Sequence, residues 1–455
     1  MSDARPDGAE RAIPLYVKAP KVYPRETEGR FSRLRVIAAW VLLGLFYVLP
    51  WIQVGGRQVV LFDLPARKFH VFGLTFWPQD FFMLAVLLAI AAMTLFFFTA
   101  LAGRLWCGYA CPQTVWTEVF LWMERKVEGP RNKRMRLDRG PWTAEKVRKK
   151  VGKQVLWIAF ALWTGITFVG FFTPIRELVP DLVAFEAGGW ATFWTLFYGF
   201  ATYGNAGYLR EQVCKYMCPY ARFQSAMFDR ETLMVSYDAE RGEPRGKRRR
   251  DADKDALGLG DCIACQGCVQ VCPTGIDIRD GLQIECIACA ACIDVCDEVM
   301  DRMGYPRGLI RYTTEAALEG ERSRVLRPRI FLYAGVLLAL FALFGTLLVG
   351  REMVDLDVLR DRNALYRVVD GQVENAFALK VTNRTEAPLR LSASASGLEG
   401  LRVVAPAEAM SVPADEVSNR ALTLAVPAGA VPPGLHAIEI VLTDPVSGDP
   451  AAVAE

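Results

Sequence analysis

Apolar residues fall along this chain in a few long unbroken blocks. A membrane crossing needs about 20 mostly apolar residues. Blocks of that kind occupy Val36 to Ile52, Phe81 to Leu105, Val155 to Phe172, Ala191 to Leu209 and Ile330 to Val349, and they predict about five membrane-spanning helices. The fourth block is glycine-rich and the least apolar, and the fifth is the cleanest. The first block is too long for a signal peptide and lacks a small-residue cleavage site, so no cleaved leader is expected. After Arg351 the pattern changes. Short alternating stretches at Phe377 to Val381, Leu422 to Val426 and Ala437 to Leu442 predict half-buried strands. Turn-forming clusters at Asp370-Gly371, Pro427 to Gly434 and Asp444 to Gly448 separate them, which fits an all-β, immunoglobulin-like sandwich.

The formal net charge of +3 carries no message, but its distribution does. Lysine and arginine crowd the arm before the first block (Lys18, Lys21, Arg25, Arg30, Arg33, Arg35) and the loop from Arg125 to Lys153, whereas Thr173 to Trp190 holds only Arg176. The positive-inside rule then puts the N-terminus, the basic loop and everything between the fourth and fifth spans in the cytoplasm. An odd number of spans puts residues 351–455 in the periplasm, across a bacterial inner membrane. The run Lys247 to Arg250 reads as a solvated or lipid-headgroup-facing loop, not a nucleic-acid site.

The two histidines, His70 and His436, are too few for haem or for histidine-based copper or zinc centres, and His70 reads as a surface histidine. Cysteine is the chemistry-bearing residue, with 12 in the chain. Cys262, Cys265, Cys268 and Cys272 follow the spacing C-x2-C-x2-C-x3-C with Pro273 next, and Cys286, Cys289, Cys292 and Cys296 repeat it. In such runs three close thiolates wrap one cluster and the fourth crosses to the other. The expected ligands are therefore Cys262, Cys265, Cys268 and Cys296 for a first [4Fe–4S] cluster, and Cys286, Cys289, Cys292 and Cys272 for a second. Structural zinc is the alternative, but it favours two separated C-x2-C knuckles. Asp297 stands where a second proline would be usual. The predicted architecture is an α-helical transmembrane bundle with an inserted bacterial 2[4Fe–4S] ferredoxin-like domain and the C-terminal sandwich. Its parts are an arm (1–35), four spans with the basic loop (36–210), a cytoplasmic segment (211–329, ferredoxin at about 255–305), a fifth span (330–350) and the β domain (351–455).

The other four cysteines form two copies of C-x-Y-x-C-P, at Cys107 to Pro112 and Cys214 to Pro219, each following a predicted span. If each copy is helical, the i, i+4 spacing sets both thiols on one face. Four converging thiolates, with the Met217 thioether, make a soft site suited to Cu(I), or else a redox dithiol. The plainer alternative is small buried residues at helix ends broken by Pro112 and Pro219.

The order of these parts resembles the cytochrome c oxidase accessory protein family known as CcoG, FixG or RdxA. Trp106 to Gln113, Cys214 to Gln224 and Asp361 to Thr382 carry the resemblance most specifically. It implies a cupric reductase, with copper as substrate and Cys107, Cys111, Cys214 and Cys218 as its site. It also implies cbb3-type oxidase assembly or copper-transport proteins as partners, and leaves the electron donor unnamed. Two other functions fit the residues: a membrane conduit carrying electrons from quinol or a cytoplasmic donor to a redox partner, and a non-catalytic oxidase assembly scaffold.

Overall fold

The computed structural model describes residues 21–454 apart from 325, 361–364, 386, 407, 433 and 446–447. Lys18 of the basic arm and the start of the Asp361–Thr382 stretch lie outside them. The chain forms two compact units, one built mostly from residues before 340 and the other from 73–86 with 341 onward.

Among the described residues four helices are long and apolar enough to cross a membrane: Arg30–Trp51, Pro78–Ala102, Ala144–Val169 and Pro328–Val349. The third begins well before the apolar block at Val155. Its first turns, Glu145 to Lys153, are charged helix formers, and the Thr143 side chain caps them by accepting the Lys146 N–H at 3.2 Å. The predicted fourth span is an α-helix over Gly189–Thr202 that continues as a π-helix over Tyr203–Leu209. Glycine explains its seat. A Cβ on Gly165 would fall 2.3 Å from the Thr195 carbonyl oxygen, so the two helices approach backbone to backbone.

The cysteine-rich segment meets the helices at one end. The Asp294 carboxylate accepts the Phe31 and Ser32 N–H groups at 3.1 and 2.7 Å, capping the first turn of Arg30–Val48 from a distant part of the chain. Arg327, just before Pro328–Val349, donates to the Ala100 carbonyl at 2.7 Å near the end of Phe81–Ala102.

The basic loop is in part buried. Glu124 and Glu128, 0 % and 1 % exposed, anchor it. Glu124 pairs with Arg210 at 2.6 Å, Lys21 at 3.5 Å and Arg134 at 3.7 Å; Glu128 pairs with Lys150 at 2.9 Å and Lys153 at 3.0 Å. Asp138 accepts from Tyr23 at 2.6 Å and pairs with Lys21 and Lys150. Of Lys247 to Arg250, three are exposed and Arg248 is half-buried, reaching the Tyr305 hydroxyl at 3.0 Å and the Gly260 carbonyl at 2.7 Å. His70 is also buried, within the strand Lys68–Val71 that pairs with Val60–Asp63, and so is not the surface histidine expected. The strand's pleat turns its side chain inward.

In the second unit two antiparallel sheets face each other. One orders Arg402–Ala405, Glu416–Pro427, Gln372–Asn383 and Val354–Arg360; the other orders Met410–Val412, Leu389–Ser396, Glu439–Thr443 and Pro450–Ala454. Leu379, Val381, Leu391, Leu422, Leu424 and Leu442 form the core between them. The alternation predicted at Phe377 to Val381 and Leu422 to Val426 is in register, with Phe377 opposite Leu422.

Candidate metal centre

The eight closely spaced cysteines sit on two loop–helix units related by internal repetition. The first unit leads into the helix Gly267–Val271, the second into Ala291–Met303. Each loop carries two left-handed residues at matching places, Ala264 and Gln266 in one (φ 52° and 59°), Ala288 and Ala290 in the other (φ 52° and 58°). Left-handed residues fold successive N–H groups inward, the concave form that binds anions. Gly267 N–H lies 3.5 Å from the Cys265 sulfur and Ala288 N–H lies 3.4 Å from the Cys286 sulfur.

Two cavities lie between these units. One is lined by Cys262, Cys265, Cys268 and Cys296, with Tyr237, Arg279 and Val295. The other is lined by Cys272, Cys286, Cys289 and Cys292, and Cys268 also borders it. Each cavity thus gathers three neighbouring thiols and the last thiol of the opposite run. Cys265 is the exposed member of the eight. Burial pushes the Cys268 thiol up to about 11 and those of Cys286 and Cys296 up to about 12, and it raises Cys289 and Cys292 too. Such thiols stay protonated until a metal displaces the proton. Among the described residues no three His, Cys, Asp or Glu side chains close on a single ion. Thiols spread round a cavity suit a polynuclear cluster and do not suit zinc. Asp297 has a local task in place of the absent proline: its carboxylate accepts the Gly308 N–H at 2.9 Å.

The C-x-Y-x-C-P copies are not single helices with two thiols on one face. Cys107 lies in the short helix Leu105–Tyr109, while Cys111 is the extended residue before Pro112–Glu128. Cys214 lies in the π-helical turn Val213–Met217, and Cys218 is the extended residue before Pro219–Ser225. The prolines force this, because a residue before proline avoids the helical region. The four thiols nonetheless lie in one neighbourhood. Burial first, then the neighbouring thiols, raises Cys107 to about 12 and Cys214 to about 11: Cys111 and Cys218 contribute at both, and Cys214 at Cys107. Cys107 donates to the side-chain amide oxygen of the buried Gln224 at 3.4 Å, on the helix that follows the second copy. They do not form a closed four-thiol cage for one ion.

Sequence reasoning missed how the first copy meets the ferredoxin segment. A Cβ on Gly108 would lie 2.8 Å from the Ile287 oxygen and 2.9 Å from the Ala288 oxygen, so only glycine fits against the loop between Cys286 and Cys289. Tyr312, beside Tyr109, donates to the Ala288 carbonyl at 2.5 Å. Cys107 and Cys214 pack with Cys292 on the apolar cluster of Ile287, Cys289, Ala291 and Val295. Gly108 inside the motif was the one available signal.

Three family models match. A 4Fe-4S dicluster domain covers residues 209–315, a 4Fe-4S binding domain covers 82–130, and an Ig-like fold at the C-terminus of FixG covers 344–455. The 82–130 region holds only Cys107 and Cys111, too few thiols for a cluster of its own. Over its whole length the chain is similar to the nitrogen fixation protein FixG of Rhizobium meliloti, 39% identical over 95% of this chain and 92% of that one. It is 41% identical to RdxA of Cereibacter sphaeroides, over 97% of this chain and 93% of that one. RdxB of the same organism is 42% identical over 89% of each. A crystal structure of a FixG-related protein from Vibrio parahaemolyticus matches 23% of this chain and 94% of that one, with 27% identity and a TM-score of 0.21. Coverage at this identity, with the dicluster match and the apolar helices, leaves one conclusion: the chain belongs to the FixG/RdxA family of membrane iron–sulfur electron-transfer proteins.

Proposed function

We propose that this protein reduces Cu(II) to Cu(I) beside its second cluster and supplies copper for assembly of a cbb3-type oxidase. The observation that carries the reading is the packing of Cys107 and Cys214 on the apolar cluster that holds Cys289, with Cys292 alongside. The ligand sets are those that line the two cavities: Cys262, Cys265, Cys268 and Cys296 for the first cluster, Cys272, Cys286, Cys289 and Cys292 for the second. When bound, the clusters supply electrons one at a time, which is what Cu(II) reduction consumes. Their thiols are all spent as ligands, so copper needs other donors. Cys107, Cys111, Cys214 and Cys218 are those donors, with the Met217 thioether next to Cys218. Soft sulfur donors favour Cu(I), and two thiolates suffice to hold it, so the lack of a closed cage is no obstacle. Copper-transport or oxidase assembly proteins are the partners in this reading. The cysteine-rich segment is cytoplasmic and the β domain periplasmic, with Gly189–Leu209 crossing as well as the four long apolar helices.

The test is anaerobic. Full-length protein, reduced and freed of reductant, receives Cu(II), and Cu(I) is read with a specific chelator. Cys107→Ser with Cys214→Ser should abolish the signal while iron content and cluster absorption persist. Undiminished reduction in that variant would move copper away from the thiol pairs and favour the electron-conduit reading.

A further inference from the structure

Arg104 is 5 % exposed. Its Nη1 donates to the Cys286 carbonyl at 3.1 Å and its Nη2 to the Ala221 carbonyl at 2.5 Å, while Nε has no partner. Among the described residues no carboxylate forms an ion pair with it. The charged and titratable groups in its electrostatic reach are the thiols of Cys107, Cys286 and Cys214 and the carboxylate of Glu285. Burying a guanidinium without a counter-charge costs several kcal/mol. The missing counter-charge lies in the cavity bordered by Cys286. A [4Fe–4S] core on four thiolates carries two negative charges when oxidised and three when reduced, so the neighbouring cation favours the reduced form.

The first cavity differs. Its nearby guanidinium, Arg279, is neutralised by a forked pair with Asp277, Nε to Oδ1 at 2.8 Å and Nη2 to Oδ2 at 2.5 Å. Arg35 stands near Cys289, but Glu118 and Asp294 lie near it in turn. Burial alone would make the second cluster the harder to reduce, because the first set includes the exposed Cys265 whereas no thiol of the second set is exposed, and the extra negative charge is disfavoured away from water.

We infer that Arg104 is a positioning residue that raises the reduction potential of the second cluster above that of the first, so that electrons entering near exposed Cys265 run toward Cys107 and Cys214. This rests on the cluster part of the proposed function and not on copper. Arg104 touches no copper and supplies no electron; it sets a direction by charge alone.

The experiment is a redox titration of full-length, cluster-loaded protein without copper, followed by EPR, with iron measured in every sample. Two potentials are expected. Arg104→Gln should lower the higher one by at least tenfold in its reduction equilibrium, which is 59 mV for a one-electron couple. Arg104→Lys, which keeps the charge, should restore most of that shift. Asp277→Asn frees the Arg279 charge and should raise the lower potential, narrowing the gap. Arg104→Gln that keeps its iron and both potentials would overturn the inference, as would equal shifts of both. If Arg104→Gln loses iron, an Asp277→Asn protein with unchanged potentials overturns it instead. Iron-free wild type, in contrast, would remove the cluster reading itself.

Discussion

The two copies of C-x-Y-x-C-P share a pattern and not a role. In the first, Gly108 is buried against the Ile287–Ala288 backbone and Tyr109 is half-buried beside Tyr312. In the second, the corresponding residues are Lys215 and Tyr216, and Tyr216 is 67 % exposed with Met217 at 59 %. The residues between the thiols therefore decide which copy docks on the second cluster cavity and which faces outward. A repeated metal-type motif fixes the kind of atom offered; its spacer residues fix what that atom sits beside.

The largest effect that could break this comparison lies at Gly108. Gly108→Ala puts a methyl group into two carbonyl oxygens that belong to a cluster-bearing loop, and neither can retreat freely. Overpacking of this kind costs about 1–3 kcal/mol, so iron should be lost on mild heating well before wild type. Lys215→Ala should leave melting and iron content within about 0.5 kcal/mol of wild type. Equal loss in both would mean that both copies dock. A middle effect is expected at the tyrosines. Tyr109→Phe removes a half-buried hydroxyl beside Tyr312 and should cost about 1 kcal/mol by thermal unfolding, while Tyr216→Phe, at an exposed position, should cost nothing measurable. The smallest lies at Met217. Met217→Leu should lower Cu(I) retention less than loss of Cys107 or Cys214 does, measured by competition with a Cu(I) chelator. A loss equal to that of Cys214→Ser would turn the outward copy into the principal copper holder.

The parts legible in the chain were those whose cause is local. Cysteine runs at three-residue spacing announce themselves, and so do apolar blocks like Phe81–Ala102 and the alternation at Leu422 to Val426. Gly189–Leu209 was readable as a helix, although its π-helical end was not. What stayed hidden depends on partners far along the chain. Gly108 looks like any glycine until residues 287–288 arrive, and Asp294 looks like a surface acid until it caps Phe31 and Ser32. The single-face expectation for the thiols failed although its refutation was in view, because Pro112 and Pro219 follow the second cysteine directly. The basic loop was read only as a topological signal, yet Arg134, Lys146 and Lys153 are buried within it.

That buried charge cluster has a consequence for synthesis. Glu124 is held by Lys21, Arg134 and Arg210, residues that leave the ribosome at very different times. The arm emerges first but has no acid to meet until the second helix pair is made, and the last cation arrives only after Gly189–Leu209. Domains generally fold as units in the order they are made, N-terminal first. Here the arm must wait. Its Lys21 contact then reports that everything up to Arg210 is in place, while its far end is capped only later, when Asp294 of the second cysteine run arrives to accept from Phe31 and Ser32.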